Sequence, residues 1–244
     1  MKRRSVLFGI GLGLLLVGLG AALVLLLLHE PAVYARAGQP EGEERKQLSG
    51  EFNSEFFHLY DGILHEPIWG ATFTQESINS YFDEDFVRTG VANSVLPEGI
   101  SAPRVAFEPD KIRLAFRYKV GPWSTIITID MRVWLANKHE PNVIALELQS
   151  LHAGSMPIAA QSLLEQIFET ARQNGIDVIW YRYHGNPVAL LKFQANQQHP
   201  TIQFVDLQLK DGELLISGRA IDAGTISKVL GPLQPVSVEE LAAN

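Results

Sequence analysis

Residues 110–136 read "DKIRLAFRYKVGPWSTIITIDMRVWLA". In the first half Ile112, Leu114, Phe116, Tyr118 and Val120 fall on alternate positions, with Arg113, Arg117 and Lys119 between them. After Gly121-Pro122 the pattern restarts: Ile127, Ile129, Met131, Val133 and Leu135 alternate with Thr128, Asp130, Arg132 and Trp134. Successive side chains of a strand point to opposite faces, so a period of two marks strands buried on one side. A Gly-Pro break between two such runs folds them back on each other. The stretch therefore predicts a long antiparallel pair with an apolar and a polar face.

The pattern extends toward the C-terminus. A polar turn from Asn137 to Asn142 leads into "VIALELQSL" (143–151), with Ile144, Leu146 and Leu148 on one side. The chain then breaks at Ala153-Gly154-Ser155, and a helix-like run follows from about Ile158 to Gln173, stopped by Asn174-Gly175. Gly154 relieves the backbone where the chain leaves the sheet, and Pro157 suits the first turn of that helix. "DVIWYRYH", "PVALLKFQ", "TIQFVDLQLK" and "ELLISGRAI" add four strands, the last two joined by Asp211-Gly212. A short helix is expected near Thr225–Leu230, in a loosely held acidic tail.

On the N-terminal side the period changes. Phe52, Phe56, Leu59, Tyr60 and Ile63 recur at helical spacing, and "FTQESINSYF" (73–82) reads as a second helix capped by Thr74. Before them, "AGQPEGEERKQLSG" is a polar stalk. First of all comes a run from Val6 to Leu28 without a charge, preceded by Lys2, Arg3 and Arg4. As a helix it would reach roughly 35 Å, enough to cross a bilayer core of ~30 Å. The basic flank places the N-terminus in the cytoplasm. Ala35-Arg36-Ala37 resembles a signal-peptide cleavage site, but the apolar run is longer than a signal sequence needs.

Charge narrows the partners. Removing the +3 of Lys2, Arg3 and Arg4 from the chain's −7 leaves −10 for the remainder. An acidic domain repels phosphate backbones, so no nucleic-acid partner is expected. The chain has no cysteine, which removes disulfides and thiolate chemistry.

The search for catalysis yields little. The seven histidines are scattered, without an HxH or HxxxH pair, and Asp83-Glu84-Asp85 reads as exposed carboxylates at a helix end. Ser155 lacks the glycine spacing of a nucleophile elbow, and His152 has no orienting acid. Neither an enzyme nor a cofactor or metal is expected.

"FTQESINSYF" and "LQSLHAGSMPIAAQSLLEQI" (148–167) together resemble the opening helix and the strand–corner–helix of membrane-anchored, extracytoplasmic proteins of the YpmS type. Gly154, Met156 and Pro157 match that family's G-x-L-P-x-P corner, while Ala159 stands where the second proline is usual. The likeness runs loosely from Trp69 to Ala220. Similar anchored β-rich domains include lipid-handling envelope proteins with tubular or half-pipe sheets, which adds weight to a groove, while the family's own function is not carried over.

The expected fold class is α+β. Residues 1–28 form a cytoplasmic basic end and transmembrane helix, 29–50 a polar stalk, 51–221 the extracytoplasmic domain, and 222–244 a tail. The domain is a long antiparallel β-sheet, free to curve, with a few helices on its apolar face. The expected protein is single-pass in the plasma (inner) membrane, with its domain outside and its anchor as membrane partner. Its expected function is to bind or shield a lipid-like ligand in a groove lined by Ile112, Leu114, Phe116, Tyr118, Ile127, Ile129, Met131 and Val133. Each buried methylene of such a ligand contributes about 0.8 kcal/mol, so little polar recognition is needed. The alternative is a non-catalytic envelope scaffold with a closed core and a protein partner.

Overall fold

Alternation along residues 111–135 produces the pairing it predicts. In the computed structural model, which describes residues 15, 17–136, 141–159, 161–173, 176–183, 185–193 and 201–221, Leu114 faces Ile129 and Phe116 faces Ile127 across an antiparallel register. An apolar helical segment comes first, from residue 17 to residue 28. Then follow α1 (Ala32–Ala37), α2 (Glu43–His65), β1 (Ile68–Thr74), α3 (Gln75–Asp83), α4 (Asp85–Arg88) and α5 (Val91–Val95). The meander is β2 (Ile100–Glu108), β3 (Lys111–Val120), β4 (Trp123–Leu135) and β5 (Val143–Ala153). After it come β6 (Met156–Pro157), α6 (Gln161–Gln173), β7 (Asp177–Tyr183), β8 (Asn186–Lys192), β9 (Ile202–Lys210) and β10 (Glu213–Ala220).

The protein is α+β, built on a large antiparallel sheet ordered β2-β3-β4-β5-β8-β7, with β6 added to β5. A second sheet, β1-β10-β9, lies beside it. Val105, Phe107, Val133, Ile144 and Leu209 form a cluster between the two, with Ile78 and Phe82 of α3 and Leu207 and Leu214 of the hairpin packed against it. A second cluster, Phe116, Ile127, Ile129, Leu151 and Ala153, is covered by Leu164 and Ile167 of α6, by Ile158 and by Leu27 of the apolar helix.

The other face of the sheet is not uniformly polar as expected. Val143, Ala145, Val188 and Leu190 are buried there, with Trp134, Tyr181 and Tyr183 around them. Tyr34 of α1 packs on the same face against Ala115 and Ile126. The first helix is longer than its stripe suggested, and Phe56, Phe57, Tyr60 and Leu64 remain exposed along it.

Two asparagines replace missing ladder partners. Asn79 of α3, 1 % exposed, donates to the Val105 carbonyl and accepts from the Val105 N–H, both at 2.8 Å. With Gln75, which accepts from the Phe107 N–H at 3.2 Å, it closes the outer edge of β2. Asn142, at φ 62°, donates to the Ile202 carbonyl at 2.7 Å and accepts from the Phe204 N–H at 2.8 Å, linking the two sheets.

The corner is confirmed, with one correction. Gly154 has φ +59°, but Pro157 lies in β6 rather than in the helix, which starts at Gln161. What the corner receives is the end of the apolar helix. The Ser155 N–H donates to the Leu26 carbonyl at 2.9 Å, and the Thr125 hydroxyl donates to the Leu27 carbonyl at 2.5 Å. Helix ends carry carbonyls without helical partners, and here the sheet supplies them.

Residues 29–50 also lie against the domain. The Tyr34 hydroxyl donates to the Ala102 carbonyl at 3.0 Å, Arg45 pairs with Glu84 at 2.7 Å, and the Ser49 hydroxyl donates to Asp85 at 2.8 Å. The acidic cluster is accordingly not a free carboxylate patch. Asp83 pairs with Arg104 at 2.7 Å, Glu84 with Arg45, and Asp85 with Ser49, Asn53 and Arg88. The expected tail helix and the Asn174-Gly175 stop lie outside the described residues.

Candidate functional site

Unequal strand lengths open a cleft at one end of the large sheet. β5 has 11 residues and β8 only seven, so β5 outruns its neighbour. Pairing with β8 stops at Glu147↔Val188, and pairing with β6 begins at His152↔Pro157. Residues 148–151 thus have no strand beside them on that side, and α6 crosses over the gap instead of closing it. The result is an open cleft of about 680 Å³ between α6, β5 and the β7–β8 hairpin.

Its apolar lining is Leu148 and Leu151 of β5, Ile158, Leu164 of α6, Trp180 of β7 and Pro187 of β8. Phe168 holds the Trp180 ring edge-on, with centroids 4.4 Å apart, and Trp180 is still 36 % exposed. Gln149, Ser150, Glu165, Tyr181, Arg182 and Asn186 also line it, and the Asn186 amide donates to Glu147 at 2.7 Å. The neighbouring Tyr181 hydroxyl is buried with no hydrogen-bond partner among the described residues. Burial, then the charge of Glu147 and the nearby Tyr183, raise its pKa, so it stays a neutral phenol. A concave, mostly apolar site suits a ligand with an aliphatic part.

The eight residues expected to line a groove do share one face. Phe116, Ile127, Ile129 and Val133 are buried; Ile112, Leu114, Tyr118 and Met131 are half-buried. Their surface is occupied by Leu27, Leu164, Ile167, Ile78 and Phe82 of the same chain, and none of the eight lines the cleft. The cleft lies farther along the sheet, on β5, β7 and β8. The missed residues, Trp180 and Pro187, left no signal in the sequence: their strands read as ordinary alternating runs, and local pattern does not say which strand neighbours β5.

Of the residues weighed for chemistry, Ser155 is exposed and uses its backbone N–H, and His152 is half-buried in the β5–β6 pair. His65 bonds Asp61 on the surface of α2 at 3.0 Å. Among the described residues no three His, Asp or Glu side chains converge as a metal site requires. His139, His184 and His199 lie outside those residues.

No protein-family model, curated protein or solved structure matches the chain, so the YpmS-type resemblance gains no support from them. Among the described residues one segment, Val17–Ala37, is long and apolar enough to cross a membrane, with mean hydropathy 1.7.

Proposed function

We propose that this is a single-pass membrane protein, N-terminus in the cytoplasm and domain outside, that holds the acyl chain of a lipid-like molecule in the cleft beneath α6. The observation that carries the reading is the cleft itself, which stays open and apolar where β5 loses its partner strand. Its volume falls within the ~300–1,000 Å³ of ordinary ligand sites. An acyl chain laid along Leu148, Leu151, Leu164 and Trp180 would gain about 0.8 kcal/mol per methylene removed from water. No group positioned for catalysis is required, so the protein acts as a binder or shield rather than an enzyme.

The scaffold reading draws on the well-filled core under α3 and on the exposed apolar side of α2. The two separate in one experiment. The full chain is reconstituted in vesicles containing a fatty acid with a photoactivatable diazirine, irradiated, digested and mapped by mass spectrometry. Lipid binding requires adducts on residues 148–151, Leu164 or Trp180. Adducts confined to the apolar helix would leave the cleft without a ligand and favour the scaffold.

A further inference from the structure

We propose that the β3–β4 turn is seated in the membrane interface, with Trp123 as its anchor, so that the domain stands on the bilayer on a fixed base. This rests on the reading of the apolar helix as a membrane span. The direction of the turn follows from a ladder of contacts. Leu27 meets Thr125, which lies opposite Tyr118. Glu30 pairs with Arg117 at 3.6 Å, and Tyr34 packs on Ala115 and Ile126. Leu27 packs on the apolar face and Tyr34 on the opposite one, and the contacts between them, at Thr125 and Arg117, lie at the end of the sheet that carries the turn. The apolar helix therefore meets the sheet at the end that carries the turn.

The residues of that helix before Leu27 are bare. Leu25 is 71 % exposed, and Leu23, Val24 and Leu26 are exposed as well. The described residues leave them largely uncovered, and Gly121 and Pro122 reverse the strand at the same end of the sheet. Trp123 sits there, two residues beyond Thr125, or about 7 Å farther along the strand toward the bilayer. It is 61 % exposed, whereas Trp69 is 2 % exposed and buried against Phe204. An exposed indole joins an apolar ring to an N–H donor, the pairing that favours the headgroup region.

Charge adds little at this base. Lys119 is exposed, but Glu98 is exposed near it and Arg117 is paired with Glu30. The seat is aromatic, and zwitterionic lipid suffices for it. The base also sets the height of the cleft. Leu151 lies opposite Ile129, four residues up β4 from Thr125, about 13 Å from the helix end. A chain leaving the adjacent leaflet would reach the cleft within the height of the domain.

The test uses the full protein in phosphatidylcholine vesicles whose acyl chains carry bromine near the headgroup end. Bromine quenches tryptophan on contact. Replacing Trp123 with Phe at this exposed site should remove most of the quenching seen in the wild type, and moving the bromine to the chain ends should weaken it. The Trp180→Phe variant reports the cleft separately, because its loss of quenching measures lipid under α6. If Trp123→Phe is quenched as strongly as the wild type, the seated turn is refuted whatever Trp180 shows. Extraction of the full chain by alkaline carbonate would refute the membrane span and the turn together.

Discussion

Gly154 and Leu26 meet so closely that a Cβ on the glycine would overlap the leucine's carbonyl oxygen, and it would stand 2.6 Å from that of Leu27. The corner between β5 and β6 is therefore shaped around the end of the apolar helix. The glycine is needed twice, for its φ of +59° and for the approach of another backbone.

Gly154→Ala should loosen the helix end from the sheet and cost about 1–3 kcal/mol, from left-handed strain together with the clash. Chemical unfolding of the full chain in detergent measures it. Ser155→Ala should leave stability unchanged, since the Ser155 backbone makes the bond to Leu26. Equal stability of Gly154→Ala and wild type would mean that the helix does not dock at the corner.

Asn79 pairs with both backbone groups of Val105 where no strand can. Asn79→Ala leaves a buried N–H and a buried carbonyl unpaired at the edge of β2, at a cost of about 1–3 kcal/mol for each. Asn79→Asp retains an acceptor for the N–H but turns a carboxylate toward the carbonyl, so it should rescue little at neutral pH. Urea unfolding midpoints distinguish the variants, and an Asn79→Ala midpoint equal to wild type would show the edge to be satisfied otherwise.

Asp130 supplies a pH dependence. Burial works against its charge, but the Arg113 guanidinium, at 2.5 and 3.1 Å, and the Ser150 hydroxyl outweigh burial and hold the carboxyl below its usual range. A group whose pKa is depressed on folding adds stability above its unfolded value, and that stability is lost as pH falls through the folded value. Acidification from neutrality below the ordinary aspartate range should therefore destabilise the domain. Asp130→Asn should cost about 1–2 kcal/mol near neutrality and flatten the acid slope. An unchanged slope in that variant would assign the acid sensitivity elsewhere, with Asp85, held low first by Ser49, the next group to test.

The large sheet was legible because its strands are amphipathic: residues 111–135 alternate, and alternation fixes both strand and face. β1 escaped notice. Its buried residues are Trp69, Ala71 and Phe73, and the intervening Gly70 and Thr72 blur the contrast that alternation needs. The second sheet escaped with it, since pairing β1 with β10 joins residues that local pattern cannot connect. The contacts of residues 29–50 were hidden for a different reason. Their polarity is real, but Arg45, Ser49 and Tyr34 spend it on partners in the domain, and a single chain does not reveal that Glu84, Asp85 and Ala102 lie across from them. An apolar face was likewise visible, and what covers it was not: Leu27 and Leu164 come from elements distant in sequence.

That cover makes the lipid reading testable at two neighbouring positions. Phe116 is 2 % exposed, enclosed by Ile127, Ile129, Leu151 and Ala153. Phe116→Asp would bury an unpaired carboxylate and leave a void, costing several kcal/mol of a typical ~5–15 kcal/mol stability, so it should unfold the domain. Leu148, half-buried, lines the open cleft, where an introduced carboxylate keeps its water. Leu148→Asp should cost about 1–2 kcal/mol and leave a folded protein. In irradiated vesicles that folded variant should lose the diazirine adducts at residues 148–151 while keeping those on the apolar helix. Undiminished cleft labelling in Leu148→Asp would remove Leu148 from the ligand's path, and loss of the fold in both variants would show the cleft wall to be part of a closed core.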